Sequence, residues 1–281
     1  MITSIIFSKD RALQLDLTLK TIRKNFDLCD DVIVIYKTSE RQYKESYENL
    51  KAEHPNVSFY EQSYSLFVDI LATISGATSD YVCFFTDDNI VYRKVPINNL
   101  QLNHVFNSGA SCLSLRIGVN TTQRDYGDGT LRNDNIPGEV FSDPPFIVWN
   151  RTSIPTGGYW AYPLSVDGHI FKRETMLEFC TELEVLNKHY QHRGVPRENW
   201  CWSQTPNEFE SKLQRFYFDL PAMMCALEQS CVVNSPNNRV QSHAENRSGD
   251  QFSYTPSELN HLYMSGKRLN VDKIDFSDIV C

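Results

Sequence analysis

The sequence predicts an α/β protein with a mostly parallel central sheet that is flanked by helices. The first observation behind this prediction is that apolar, β-prone runs and amphipathic segments alternate along residues 1–95. The second is an uninterrupted apolar run at 81–85. Parallel strands that are buried on both faces carry such runs, and strands separated by helices pair in parallel. The third is a length of 281 residues with 41% hydrophobic residues, which is enough for a large core.

The elements of this first part follow from residue spacing. Strands are expected where β-branched and aromatic residues run together, and helices where apolar residues recur on one helical face. In chain order, these rules predict a strand at 2–7, a helix at 13–25, a strand at 32–36, a helix at 40–53, a strand at 57–60, a helix at 66–75 and a strand at 81–85. This alternation implies parallel strands with helices on the faces of the sheet.

The second part of the chain is less regular. Residues 116–162 are rich in Gly, Asp, Asn and Pro with aromatic residues between them, which predicts a long irregular segment of binding loops. The elements predicted after it are a strand at 166–171, a helix at 173–189, a helix at 209–218, an apolar patch at 222–233 and a polar flap or tail at 234–254. We expect a single domain over 1–281, divided into 1–95, 96–233 and 234–281.

Composition argues against several classes of protein. The formal net charge of −8 argues against a general nucleic-acid binder, and no apolar stretch reaches the length that a membrane span needs. The eight cysteines form no Cys-x-x-Cys pair, and several have apolar neighbours. We therefore expect free thiols in a reduced, cytoplasmic protein rather than a cysteine-built zinc site.

The most informative feature is the acidic pair Asp87 and Asp88, which follows the apolar run at 81–85 and Thr86. Adjacent carboxylates at the end of a buried strand repel each other and resist desolvation unless a positive group binds them. A divalent cation that holds a phosphorylated ligand would remove this cost, and ligands of open α/β sheets bind at the carboxyl ends of the strands. The alternative is a solvated turn, because Asp and Asn favour turns in any case.

Three segments carry a resemblance to a known family. Residues 4–11 and the Leu-rich helix after them resemble a motif of the GT-A fold nucleotide-sugar glycosyltransferases, especially glycosyltransferase family 2. In that family, the opening strand, loop and helix bind the nucleotide. Residues 86–90 are similar to the metal-binding DxD region of that family, and 167–173 takes the place of the segment that carries the catalytic carboxylate in inverting members. Two features depart from the family. The acidic motif reads Asp-Asp-Asn, and the later Glu-Asp motif has no strict match, with 207–210 the nearest segment.

The resemblance implies a Rossmann-like GT-A fold in which 1–95 binds the nucleotide and an irregular C-terminal half binds the acceptor. It implies a Mn²⁺ or Mg²⁺ ion, which hard oxygen ligands suit, held by Asp88 and by His243 from the C-terminal flap. The nucleotide-binding residues that it implies are Ser8, Asp10, Arg11, Tyr36, Lys37, Asp87 and Arg247. The alternatives are ordinary loop residues at the strand ends and an exposed histidine in a polar tail.

The catalytic and acceptor-binding residues follow from the same resemblance. Asp167 is the expected general base, and its alternative role is in an Asp-Gly turn. Glu208 is the second candidate, and its alternative role is to complement the dipole of a helix that begins near it. Trp149, Tyr159 and Trp160 are expected to form a platform for the acceptor, because sugar rings pack their C–H faces on aromatic rings. Ordinary core packing is the alternative for these three.

Together these residues imply a metal-dependent glycosyltransferase. It would move a sugar from a nucleotide-diphosphate donor, in particular a UDP- or GDP-sugar, to a hydroxyl of a glycan, a lipid carrier or another acceptor, with inversion by an Asp base. Two alternatives stay open: a nucleotidyltransferase that makes nucleotide sugars, and a binding protein of the same fold without turnover. Nucleotidyltransferases usually have a Gly-rich loop after the first strand, and residues 8–11 contain no glycine.

Overall fold

The computed structural model describes residues 1–125, 131–155, 158–196, 200–235 and 254–276. The strands are β1 (Ile2–Lys9), β2 (Cys29–Lys37), β3 (Ser58–Glu61), β4 (Tyr81–Thr86), β5 (Asn89–Val91), β6 (Ala110–Ser114), β7 (Gln123–Asp125), β8 (Leu131–Asn133), β9 (Phe141–Asp143), β10 (Phe146–Asn150), β11 (His169–Lys172), β12 (Met223–Leu227) and β13 (Val232–Asn234). The helices are α1 (Ala12–Asn25), α2 (Arg41–Glu53), α3 (Leu66–Gly76), α4 (Asn99–Asn107), α5 (Arg173–His192), α6 (Pro206–Leu213) and α7 (Pro256–Met264). None of the helices within these ranges combines the length and the apolar character that crossing a bilayer requires.

Nine of the strands form one sheet, in the order β3-β2-β1-β4-β11-β6-β12-β10-β9. The four strands at one end, β3, β2, β1 and β4, are all parallel, as the alternation of strands and helices predicted. In the other five, β11 is antiparallel to both neighbours, β12 is parallel to β6, and β10 and β9 run antiparallel at the far edge. The predicted α/β class is confirmed, with a sheet that is parallel in its first part and mixed in its second.

The elements predicted for residues 1–95 are confirmed, with the largest difference at the start of β2. This strand begins at Cys29 rather than at 32, because Cys29 and Asp31 already pair with β1. The side chains of Asp30 and Asp31 are exposed, so the apolar pattern begins only after them. A rule based on apolar runs therefore misses the first residues of β2, which pair with β1 although their side chains are polar or exposed.

The segment 116–162 is more regular than the sequence predicts. It contains β7 to β10, and β10 joins the central sheet by pairing with β12. β10 has only five residues and directly follows Pro144 and Pro145. In the sequence, such a short run cannot be told from the isolated aromatic residues of the surrounding loops. The strand expected at 166–171 begins only at His169, after a glycine turn.

The later elements also shift. The helix expected at 209–218 is α6, which starts at Pro206 behind the capping Thr205 and is followed by a short 3₁₀ turn, Gln214–Phe216. The apolar patch at 222–233 forms β12 and β13. Most of the expected flap at 234–254 lies outside the described residues.

Two apolar layers cover the two faces of the sheet. On one face, Ile6 of β1 and Phe85 of β4 pack with α1, α2 and α7. On the other face, Ile5 and Phe84 pack with α3, α5 and α6. All four side chains are fully buried, and each such burial stabilises the fold by about 1.5–3 kcal/mol. Because both faces are covered, polar groups gather at the carboxyl ends of the parallel strands.

Candidate active site at the carboxyl edge of the sheet

The polar residues of the candidate site meet where β1 and β4 end. These strands are parallel neighbours with Phe7 opposite Thr86, so Ser8 lies beside the acidic pair that follows Thr86. β11 runs antiparallel to β4 and begins opposite Phe84, which brings the preceding Asp167 to the same edge. Elements that are far apart in sequence therefore supply one site.

A glycine turn places Asp167 at this edge. Gly168 has a φ of +71°, a left-handed conformation that favours glycine, and its N–H donates to the carbonyl of Phe84 at 2.8 Å. A side chain at this position would also approach Val232 to 3.1 Å. The Asp-Gly turn that the sequence offered as an alternative is therefore present, and it is also what brings the Asp167 carboxylate to the site.

The positive group on the acidic pair is Arg11. Its Nη1 lies 3.0 Å from Asp87 Oδ1 and 2.8 Å from Asp88 Oδ2. All three residues are buried, and none is more than 9% exposed. Burial alone would lower the pKa of the guanidinium, but the two carboxylates outweigh burial and raise that pKa. The chain's own arginine thus offsets the cost that two neighbouring buried carboxylates carry.

Asp87 is also held by β1. Its Oδ2 accepts a hydrogen bond from the Ser8 hydroxyl at 2.8 Å and another from the backbone N–H of Lys9 at 3.0 Å. Burial raises the pKa of the Asp87 carboxyl to about 6, against the positive charge of Arg11 and together with the negative charge of Asp88. Asp87 is therefore the carboxylate that is fixed most firmly by its own chain.

The turn that carries the acidic pair is fastened to α1. The hydroxyl of Thr18, within this helix, lies 2.9 Å from the carbonyl oxygen of Asp87 and 2.8 Å from that of Asn89. The turn is closed on its other side, where the N–H of Thr86 donates to Asn89 Oδ1 at 2.8 Å. The backbone of the turn is thus tied to the sheet and to a helix.

Two donors link the acidic pair to Asp167. Thr86 Oγ1 lies 2.7 Å from Asp88 Oδ1 and 2.9 Å from Asp167 Oδ1. The side-chain nitrogen of Asn234 lies 3.1 Å from Asp88 Oδ1 and 3.5 Å from Asp167 Oδ1. Because Thr86 has a single hydroxyl proton, it donates to one carboxylate at a time. Asp88 and Asp167 are thus neighbours across these two side chains.

Asp167 has a counter-charge of its own. Arg116 Nη1 donates to Asp167 Oδ2 at 3.0 Å, and the guanidinium lies over the ring of Tyr159, 4.5 Å from its centre. The side chain of Asp167 is 20% exposed, against 5% for Asp87 and 7% for Asp88. Asp167 is therefore the most accessible of the three carboxylates.

Glu210 is a further carboxylate beside the site that the sequence did not single out. Its Oε1 accepts the backbone N–H of Val166 at 3.1 Å, next to Asp167. Burial raises the pKa of Glu210 to about 7, and the charge of Asp167 adds to the rise. The signal that could have found it is the segment 207–210, which the family resemblance had marked.

Glu208, the second predicted base, is engaged at the start of α6. Its Oε2 accepts the N–H of Gln204 at 2.6 Å, and its own N–H donates to Thr205 Oγ1 at 3.2 Å. These bonds satisfy donors that a helix start leaves unpaired. The structure places Glu208 in the alternative role that the sequence left open, and Glu208 stabilises the helix that carries Glu210.

The three aromatic residues expected to bind an acceptor differ in exposure. Trp149 and Trp160 are buried, 0% and 2% exposed, with their ring centres 4.8 Å apart, and Trp149 Nε1 donates to the carbonyl of Trp160 at 2.8 Å. Core packing describes these two, because rings this deeply buried offer no face to an acceptor. Tyr159 is partly exposed and lies beneath Arg116.

The predicted nucleotide-binding residues at the strand ends also differ. Tyr36 is 2% exposed and is stacked on a neighbouring tyrosine, so its ring has no open face for a base. Lys37 is exposed, and its carbonyl accepts the N–H of Asp10 at 3.3 Å. Asp10 has a φ of +55°, which turns the chain sharply between β1 and α1. His243 and Arg247 lie outside the described residues.

Within the described ranges, one group of three side chains has the spacing of metal ligands: Asp16, Glu53 and His54, between α1 and α2. Lys20 Nζ lies 2.6 Å from Asp16, and Arg268 pairs with Glu53. These two cations already compensate the acidic charge. We therefore place no metal there.

Comparison with known proteins supports the resemblance. No protein-family model matches the chain. Over 96% of its length, the chain is similar to the bifunctional glycosyltransferase pgtA of Dictyostelium discoideum, with 25% identity over 292 aligned positions. The chain spans only 36% of that relative's length. The resemblance to glycosyltransferases that the motifs indicated is confirmed by this relative.

Several solved structures match the chain at low TM-scores. S. aureus TarS 1-349 matches with a TM-score of 0.44 and 14% identity, over 84% of this chain and 61% of that one. The mannosyltransferase PcManGT from Pyrobaculum calidifontis, in complex with GDP-Man and Mn²⁺, matches with a TM-score of 0.31 and 13% identity, over 42% and 36%. The 4-diphosphocytidyl-2C-methyl-D-erythritol synthase from Anaerococcus prevotii matches with a TM-score of 0.43 and 11% identity, over 84% and 92%. At these TM-scores the matches bear on neither donor, acceptor nor metal.

Proposed function

We propose that this chain is a glycosyltransferase unit that moves a sugar from a nucleotide-diphosphate donor to an acceptor hydroxyl. The observation that carries the proposal is the meeting of Asp87, Asp88 and Asp167, where Thr86 Oγ1 lies within 2.9 Å of both Asp88 and Asp167. The reaction needs a site that neutralises a diphosphate and a carboxylate that takes a proton. The similarity to a glycosyltransferase over 96% of the chain supports the same reaction.

Asp88, at the acidic edge, offers oxygen ligands that suit a divalent cation. Mg²⁺ and Mn²⁺ prefer carboxylate oxygens. Asp87 and Asp88 share one guanidinium, that of Arg11, so a negative excess remains on the pair and attracts a further cation. Asp88 would hold the ion, which when bound would neutralise the leaving diphosphate as a Lewis acid.

The start of α1 would face the diphosphate. Helix N-termini carry partial positive charge and N–H groups that suit anions. Within α1 the first turn contains no acidic residue, and the residue before the helix makes no side-chain cap. The end of β1, with Ser8 and Asp10, would lie against the nucleoside. We propose a UDP- or GDP-sugar as the donor.

Asp167 would accept the proton of the acceptor hydroxyl. Direct attack by a hydroxyl that is activated in this way inverts the configuration at the anomeric carbon. Arg116 and Thr86 would hold Asp167 in place through the bonds described above. Glu210 is the second candidate, because a carboxyl with a pKa of about 7 accepts protons efficiently near neutral pH.

Thermal unfolding with UDP or GDP, each with and without Mn²⁺, tests the proposal. We expect stabilisation by about 2–4 kcal/mol when nucleotide and metal are present together at saturating concentration, and clearly less with either one alone. Asp88→Ala should abolish this stabilisation, whereas Asp143→Ala, a 69% exposed carboxylate on β9, should retain it. Nucleotide binding that is equal with and without metal, and unaffected by Asp88→Ala, would contradict the proposal.

A further inference from the structure

The two carboxylates that Arg11 contacts differ in what else holds them. Asp87 Oδ2 accepts hydrogen bonds from Ser8 and from the backbone N–H of Lys9, so Asp87 stays fixed without the arginine. For Asp88 Oδ2, among the described residues, the donor is Arg11 at 2.8 Å. Moving the guanidinium away would therefore leave Asp87 in place and open one oxygen of Asp88.

Arg11 also occupies a position that is unfavourable for an isolated cation. It stands directly before Ala12, at the N-cap of α1, and its side chain caps nothing there. The N-terminus of a helix carries partial positive charge and repels a cation. The guanidinium is buried as well, at 9% exposure. Attraction to Asp87 and Asp88 thus has to outweigh both the helix dipole and the loss of water.

We propose that Arg11 is an internal counter-ion that a divalent cation displaces from Asp88. The chain itself would neutralise one of the two charges of the acidic pair until the cation arrives. A divalent ion carries twice the charge of a guanidinium and suits carboxylate oxygens better, so it would take the place of Arg11 at Asp88 Oδ2. The released guanidinium would remain on Asp87 and turn its remaining donors to a phosphate, which its forked geometry suits. This last step rests on the proposed function, whereas the exchange itself needs only the metal.

Calorimetric titration with Mn²⁺ alone, without nucleotide, tests the exchange. Arg11→Met removes the competing charge and keeps a side chain of similar length. We expect this variant to bind Mn²⁺ about tenfold more tightly, or better, than the unchanged protein. Arg116→Met is the matched control, because it removes an arginine at 3.0 Å from Asp167 instead. It should raise Mn²⁺ affinity clearly less, and equal effects of the two variants would overturn the proposal.

A second comparison covers the case in which Arg11→Met does not fold, since it leaves two buried carboxylates without their counter-charge. Asp87→Asn removes one carboxylate, and the double variant Asp87→Asn/Arg11→Met removes one charge of each sign. The double variant should bind Mn²⁺ more tightly than Asp87→Asn. Equal affinity would show that Arg11 does not compete with the ion.

Adding UDP or GDP to the same samples separates this inference from the proposed function. With Mn²⁺ saturating, Arg11→Met should bind the nucleotide more weakly although it binds the metal more tightly. If it binds Mn²⁺ more tightly but no variant binds nucleotide, the exchange stands and the glycosyltransferase proposal falls. If nucleotide binding needs Mn²⁺ but Arg11→Met and the unchanged protein bind Mn²⁺ alike, the exchange is wrong and the glycosyltransferase proposal stands.

Discussion

The parallel and the mixed parts of the sheet present their charged groups differently. In the parallel part, Asp87 and Asp88 follow β4 directly, are almost fully buried and form ion pairs with Arg11, which follows β1. In the mixed part, Asp167 precedes an antiparallel strand and is 20% exposed, and Glu210 comes from a helix. A buried, compensated pair is suited to holding a fixed charge. A more open carboxylate is suited to exchanging a proton with a bound molecule.

The largest expected effect tests this division directly. Asp167→Ala should lower sugar transfer by about 10²–10⁴-fold, because it removes the proposed proton acceptor. Binding of nucleotide with Mn²⁺ should stay close to that of the unchanged protein, since Asp87 and Asp88 remain. Product formation and nucleotide titration measure the two properties separately, with Asp143→Ala as the control. Normal transfer by Asp167→Ala would assign the base to another group, and Glu210→Gln would then be the variant to measure.

The second effect concerns the core of the mixed part. Trp149→Ala should destabilise the fold by about 3–5 kcal/mol in urea unfolding, because it opens a cavity and removes the hydrogen bond to Trp160. The control is Phe218→Ala, whose side chain is 90% exposed and whose loss should cost no more than about 0.5 kcal/mol. A Trp149→Ala protein of unchanged stability that loses acceptor binding would restore the predicted aromatic platform.

A pH dependence follows from Glu210. Its pKa in the folded protein is about 7, above the ordinary 4.5, so the folded state holds a proton that the unfolded state has lost. The contribution of Glu210 to stability therefore falls as pH rises between these values and stays low above pH 7. Glu210→Gln should gain about 2 kcal/mol relative to the unchanged protein from pH 5 to pH 8, measured by urea unfolding.

Glu184→Gln is the control for this pH experiment, because it removes one carboxylate from the surface of α5, where that side chain is 40% exposed. If the stability curves of Glu210→Gln and the unchanged protein run parallel across this range, Glu210 does not hold the extra proton.

The smallest effect concerns α7, which packs against the parallel part. Arg268 pairs with Glu53, and its guanidinium lies 3.8 Å from the centre of the Tyr263 ring. Arg268→Ala should cost about 1 kcal/mol, with a smaller loss at high salt. Arg41→Ala, which removes a 92% exposed partner of Glu45, should cost about 0.3–0.5 kcal/mol. Equal effects of the two substitutions would mean that Arg268 does not anchor α7.

The parallel part could be predicted from the sequence because its signals are local. β1, β2 and β4 each contain an apolar, β-prone run, with amphipathic segments between them, and these patterns need no knowledge of distant residues. β10 depends on pairing with β12, which lies far along the chain, and a short run after two prolines gives no local sign of that partner. The mixed part was therefore expected to be looser than it is.

The site shows the same limit at the level of side chains. The position of Asp87 and Asp88 at the end of a buried strand follows from the sequence alone. That Arg11 occupies their oxygens does not, because it depends on the direction of one side chain at the start of α1. The burial of Trp149 could not be predicted either, since an aromatic residue beside glycines suits both a core and a surface.

The hydroxyl of Thr18 connects α1 to the acidic turn, because from the middle of the helix it can donate to either of two carbonyls of that turn, one at a time. A phosphate bound at the first turn of α1, as proposed above, would therefore sit on the same helix that supports the backbone of Asp87.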